Sequence, residues 1–202
     1  MTSFKVPNSA LGQSAVLTPL VHHADEKEED TYIKLSEAYK LEPSEFKPVA
    51  TWLNKGSISP HLVKGSEGRA MVEGIKTKDD AEKATRFFAQ VYHTAARFHL
   101  SALQKHCVDK LLVLPATSLG LVYAAIYFNA AKVHGWASEL KMEEWLVSRI
   151  ALGILDVIEE DGFGLAQVLR DNTHLRMSVW DRVAGLQGLE DAKEEEEGDD
   201  EE

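Results

Sequence analysis

The sequence predicts an α+β protein in which a small, incomplete β-sheet near the amino terminus sits under a mainly helical shell, continued by a helical extension. Three observations predict it. Apolar and polar residues alternate in two short stretches near the start, the period of a half-buried strand. From Pro43 onward apolar residues recur every three or four positions, the period of an amphipathic helix. The 202 residues are 44% apolar and 27% charged, enough apolar side chain to bury a substantial core, which excludes wholesale disorder.

Phe4 and Val6 alternate with Ser3 and Lys5 and predict the first strand. Pro7-Asn8-Ser9 opens a short helix over Ala10–Leu17. The charge run Asp25–Asp30 is a solvated loop. Thr31, Ile33 and Leu35 alternate with Tyr32 and Lys34 and predict a second strand. Pro43 and Ser44 open a helix through Phe46, Val49, Trp52 and Leu53. Asn54-Lys55-Gly56 closes it, with Gly56 suited to the left-handed terminal position. Residues 57–74, rich in Gly and Ser, predict a loop.

Thr77 followed by Asp80 has the spacing of a capping box, ahead of a helix carrying Ala84, Phe87, Phe88, Val91, Tyr92 and Ala95. Leu100, Leu103, Cys107, Leu111 and Leu114 mark the next helix. Leu111–Ala131 is uncharged and long enough to span a bilayer. It is broken by Pro115, Thr117, Ser118, Gly120 and Asn129, so it reads as a helix end, a cap and a helix start. Thr117 or Ser118 caps a helix to about Val133, ended by His134-Gly135. Ser138 caps another, with Met142, Trp145, Leu146, Ile150, Ile154, Val157 and Ile158 on one face. Gly162 and Gly164 break the chain, and a last helix from about Asn172 presents Leu175, Val179 and Val183.

The net charge of -11 is unevenly placed. Gly188–Glu202 holds ten acids and one lysine, a charge of -9, which leaves -2 for everything before it. Such a tail repels phosphate backbones and cannot bury enough apolar surface to order itself, so nucleic-acid binding is not expected. A single cysteine, Cys107, forms no internal disulfide and fits a reducing compartment. The first five residues lack the charged and apolar regions of a signal peptide, so the cytosol or the nucleus is expected.

Several residues invite a chemical reading. His106 and Cys107 are adjacent on a helix and point about 100° apart, which does not suit a nucleophile–base pair, and Cys107 falls on the apolar face. Of His93, His99 and His106, only the last two have a spacing that could share a face. His22-His23 is a surface pair, and a single cysteine argues against structural zinc. Glu143-Glu144 and Glu159-Glu160-Asp161 read as solvated helix surface and helix end. Gly162-Phe163-Gly164 is too short for a phosphate loop. Trp136, Trp145 and Trp180, with Tyr123, Tyr127 and Phe128, read first as core packing and second as interface anchors.

Taken together, the segments resemble a BTB/POZ domain. Phe4-Lys5-Val6-Pro7-Asn8-Ser9-Ala10-Leu11, with Ser14 and Leu17, resembles that family's strand-then-helix opening. Tyr32-Ile33-Lys34-Leu35, Pro43-Ser44-Glu45-Phe46 and Trp52-Leu53-Asn54-Lys55-Gly56-Ser57-Ile58 resemble its middle. Val91-Tyr92, Ala95-Ala96-Arg97-Phe98-His99-Leu100, Leu103 and Cys107-Val108 resemble its closing helix pair. The resemblance spans about Phe4–Leu114 and implies three parts. Residues 1–115 form a BTB/POZ-like domain lacking the first strand, 116–187 a helical extension as in many fungal members, and 188–202 a disordered acidic tail. Pro7-Asn8 departs from the family's usual His-Lys.

The function the resemblance implies is non-catalytic protein–protein interaction, as an adaptor or regulatory scaffold, through a groove between helices or through an open sheet edge. No catalytic, cofactor-binding or metal residue is assigned, and neither a cofactor, a membrane nor a small-molecule substrate is expected. The protein partner is unidentified. Self-association is weakened as an expectation because the family's usual dimer segment is missing. Two other readings stand beside it: a binder of basic proteins acting through Glu194–Glu202, and a small helical enzyme with an unrecognised site.

Overall fold

The computed structural model describes residues 3–17, 21–22, 30–34, 41–65, 68–131 and 137–198. It is mostly helical, with two small antiparallel sheets, as the α+β reading expects. Strand β1 (Ser3–Pro7) pairs with β3 (Asp30–Lys34), Phe4 opposite Ile33. The two-residue β2 (Val21–His22) lies on the other side of β3, giving the order β1-β3-β2. Two residues are too few to show a period of two, which is why β2 left no signal. Val6 and Ile33 are fully buried, and the Phe4 ring meets Phe46 at 5.0 Å.

Helix α1 is only Asn8–Leu11, shorter than the expected run to Leu17. The chain turns instead, because the Ser14 hydroxyl accepts from the amides of Val16 and Leu17 at 3.2 and 3.3 Å. That hydroxyl also donates to the carbonyl of Phe98, tying the amino-terminal unit to the helices above it.

Helix α2 (Pro43–Lys55) closes on Gly56 at φ 66°, the left-handed position expected of it. Residues 57–74, expected as a loop, contain a hairpin of β4 (Leu62–Lys64) and β5 (Ala70–Val72), with Val63 opposite Met71. Helix α3 (Lys78–Arg97) starts with the predicted capping box: Asp80 N donates to Thr77 Oγ1 at 3.1 Å, and Thr77 N donates to Asp80 Oδ2 at 3.0 Å. The Thr77 hydroxyl and the amides of Lys76 and Thr77 hold the Asp80 carboxyl below its ordinary range.

Helix α4 (Ser101–Leu111) is followed by α5 (Ser118–Ala130), capped by Thr117, which accepts from Gly120 N at 3.2 Å. The uncharged run is thus a helix end, a cap and a helix start. Among the described residues no helix is long and apolar enough to cross a membrane. The predicted close of α5 at His134-Gly135 lies outside the described residues.

The carboxy-terminal breaks differ from expectation. Helix α6 (Ala137–Leu152) ends at Gly153, and α7 (Ile154–Asp171) begins there, so the expected face from Met142 to Ile158 belongs to two helices. The break expected at Gly162 and Gly164 falls one residue earlier, at Asp161, within α7. The chain kinks at Asp161 (φ -151°, ψ 60°), and the Asp161 carboxylate accepts from Gly164 N at 2.9 Å, restarting the helix. A Cβ at Gly164 would lie 2.3 Å from that carboxylate, so a glycine suits the restart. Helix α8 (Thr173–Gly198) runs past Gly188, where the tail was expected to begin. Glu, Lys and Ala favour helix without any burial, so a helical backbone can persist there on propensity alone.

Helix α3 is central: α2, α4 and α5 pack on it, α7 and α6 pack on α5, and α8 packs on α6. One apolar cluster runs from Val6 to Val179. The segments before and after residue 115 therefore share a core.

Candidate interaction surface

The residues that invited a chemical reading are scattered by the fold. Cys107 is fully buried, and burial pushes its thiol well above its ordinary value, which makes it inert. His93 is half-buried on α3 near Tyr127, with ring centroids 6.1 Å apart. His99 sits exposed between α3 and α4 at φ 53°, while His106 packs on Trp52 at 4.8 Å. His99 and His106 therefore do not form a pair. Among the described residues no group of three or more His, Cys, Asp or Glu could hold a metal ion. His23 and Trp136 lie outside the described residues.

The carboxylates divide: Glu159 and Glu160 line one cavity, whereas Glu143 and Glu144 lie apart, Glu144 in a groove between α6 and α8. Both oxygens of Glu160 accept from Lys78 Nζ at 3.0 Å, and Glu143 meets His174 Nδ1 at 2.5 Å. The aromatic residues divide. Trp145 and Phe128 are buried as core packing requires, and Tyr123 is half-buried beneath the Arg86 guanidinium at 4.7 Å. Trp180 corrects the expectation: it is exposed on α8 beside Met177, because Leu175 and Val179 take the inward face.

Lys110 is a buried polar residue that the sequence reading missed. It is fully buried, with Nζ donating to the carbonyls of Ile58 at 2.5 Å and Pro60 at 2.6 Å and lying 4.7 Å above the Phe88 ring. Burial lowers its ammonium to about 8. The lysine anchors the chain between α2 and the hairpin onto α4. The signal was present: Lys110 falls three residues after Cys107 on the apolar face.

The surface with the most functional character is built by α7. Its inward face buries Val157, Leu165, Val168 and Leu169 against α5, where Asn129 Nδ2 donates to Val168 O at 3.0 Å. Its outward side leaves Leu155 78%, Ile158 48% and Phe163 76% exposed, preceded by Leu152 at 63%. Leu155 and Ile158 are one turn apart, and the Gly153 break and the Asp161 kink set the course of this ridge. Beside it, Asp156, Glu159 and Glu160 line a cavity of about 860 Å³, whose other wall is Ile75–Lys78 and Pro115–Ser118, the starts of α3 and α5. An apolar ridge thus borders a recess of mixed charge, in which Lys76 and Lys78 face Asp156, Glu159 and Glu160 and Lys78 is paired with Glu160. The ridge eluded sequence reading because Leu155 and Phe163 fall off the apolar stripe, a position that periodicity assigns to solvent.

No family model, no curated protein and no solved structure matches the chain.

Proposed function

We propose that this chain is a non-catalytic protein–protein interaction module, of the BTB/POZ kind its residue pattern resembles, and that α7 presents its docking ridge. The observation that carries the reading is the outward exposure of Leu152, Leu155, Ile158 and Phe163 along one short segment. Large apolar side chains exposed in such number within one short segment favour a site of association over chance exposure. Covering each of them contributes about 1.5–3 kcal/mol at full burial, enough for a handful to dominate an interface. With Glu160 already paired with Lys78, Asp156 and Glu159 remain beside the ridge to meet a Lys or Arg flanking a partner's apolar anchors.

Strand addition at the sheet edge is the weaker route, since Asn54 Nδ2 already donates to the Lys5 carbonyl of β1 at 2.9 Å. A second reading, a binder of basic proteins, draws on the same two carboxylates together with Glu194–Glu202. Affinity capture with the native chain and with a Leu155→Asp, Ile158→Asp, Phe163→Asp variant tests the proposal. The expected result is a stoichiometric partner retained by the native chain and lost by the variant, with both folded by circular dichroism. Identical capture by the two would remove the ridge from the function. Capture that survives the variant and is abolished by high salt would favour the second reading.

A further inference from the structure

On the side of α6 that meets α8 lies a groove of about 410 Å³ formed by Lys141, Glu144, Trp145, Ser148 and Arg149 of α6, Arg182 of α8 and Leu112 after α4. The α6 positions follow the three- and four-residue spacing of a single helix face, so their side chains converge on one strip. Lys141, Arg149 and Arg182 are exposed, and no described carboxylate lies within 4.0 Å of any of them as an ion pair. Three cations face one acid, Glu144, in a chain whose net charge is -11. Trp145 is 7% exposed, and its Nε1–H is buried with no acceptor among the described residues. The strip thus has unmatched positive charge, an unmet donor beneath it and an apolar rim at Leu112. That set suits carboxylates carried on a peptide.

The chain itself contains such a peptide. Glu190–Glu202 carries ten acids and one lysine. Its described part, to Gly198, continues α8 and so does not fold back onto the groove of its own chain. Arg182 sits on α8, and the helix carries the chain onward at about 1.5 Å per residue, so Glu194 lies roughly 18 Å further along the axis. We propose that the α6 groove docks the acidic carboxy-terminal segment of a second copy of this chain, each copy giving one tail and receiving one. A reciprocal exchange of this kind closes as a two-fold dimer. Its attraction is electrostatic, so salt weakens it. The α7 ridge takes no part in it.

Light scattering on full-length chains tests the exchange. A groove variant, Lys141→Gln with Arg149→Gln and Arg182→Gln, alters exposed side chains. A tail variant replaces Glu194, Glu195, Glu196 and Glu197 by Gln. The native chain is expected to be a dimer at low salt and a monomer at about 1 M salt, where the Debye length falls to about 3 Å. Each variant alone is expected to associate at least tenfold more weakly, with an unchanged circular dichroism spectrum. An equimolar mixture of the two restores one groove–tail contact and is expected to associate more tightly than either variant alone. A native chain that stays monomeric at low salt overturns the proposal, as does a groove variant that dimerises like the native chain. A dimer that persists at high salt and dissociates when the ridge residues are changed overturns it too, while leaving the ridge reading intact.

Discussion

A lysine held among apolar side chains is tolerable only where its ammonium finds acceptors, and Lys110 has the carbonyls of Ile58 and Pro60 and the face of Phe88. Lys110→Met keeps the stem and removes the donor, leaving two carbonyls unmatched. Urea denaturation is expected to show a loss of about 1–3 kcal/mol. Gln104 presents the opposite case. It is fully buried, and neither its amide nitrogen nor its oxygen has a partner among the described residues. Gln104→Met, close in shape and free of that desolvation cost, is expected to raise stability by about 1 kcal/mol in the same assay.

Two histidines give the fold an acid sensitivity. Burial is the main cause lowering both His93 and His106 below the ordinary histidine value of 6.5, and the Arg97 and Lys110 charges lower them further. The unfolded chain therefore binds more protons than the folded one as pH falls through 6.5, and stability is lost in that direction. Urea midpoints measured between pH 7 and pH 5 are expected to fall, and to fall less steeply in a His93→Gln, His106→Gln variant.

At the scale of elements, caps decide where helices begin. Thr117 caps α5 through Gly120 N, and a Cβ on Gly120 would lie 2.6 Å from the Thr117 hydroxyl oxygen. Gly120→Ala therefore displaces the cap, although alanine is the better helix former. Thermal melting is expected to show a net loss of about 0.5–2 kcal/mol, similar to Thr117→Ala, and the double variant should lose little more than either alone.

The same chemistry explains what was legible. The Thr77–Asp80 box, the Gly56 close of α2 and the Thr117 start of α5 each rest on a local residue preference, and each stands where the sequence places it. The kink at Asp161 lies one residue before the break expected at Gly162, whereas the break at Gly153 was not expected. An isolated glycine is compatible with a helix interior, and only tertiary packing decides that α6 ends at Gly153. The β4–β5 hairpin escaped because each strand has three residues, too few to stand out from a Gly- and Ser-rich stretch. The ridge escaped for a related reason. Leu155 and Phe163 are apolar where the helix period demands polar residues, and Ile158, expected on the inward face, is 48% exposed; a lone sequence does not distinguish either case from ordinary exposed apolar residues.

For the whole molecule, one continuous core from Val6 to Val179 makes the later helices part of the same body as the amino-terminal unit. The consequence is a fixed platform. α7 is held against α5 by Val157, Leu165, Val168 and Leu169, so its outward side chains keep one orientation relative to the core, as the proposed docking ridge requires. A ridge set on a packed helix loses little freedom on docking, which favours affinity. Truncation after α5 would remove α7 with its ridge and strip the face of α5 that it covers, so function is better probed by point changes than by deletion.

The most direct measurement is site-specific photocrosslinking from position 155, compared with position 47 on the exposed face of α2, in a native extract. The account predicts one discrete adduct from position 155, absent from position 47, and abolished by Ile158→Asp with Phe163→Asp. No adduct from position 155, or the same adducts from both positions, would contradict the assignment of α7 as the docking ridge.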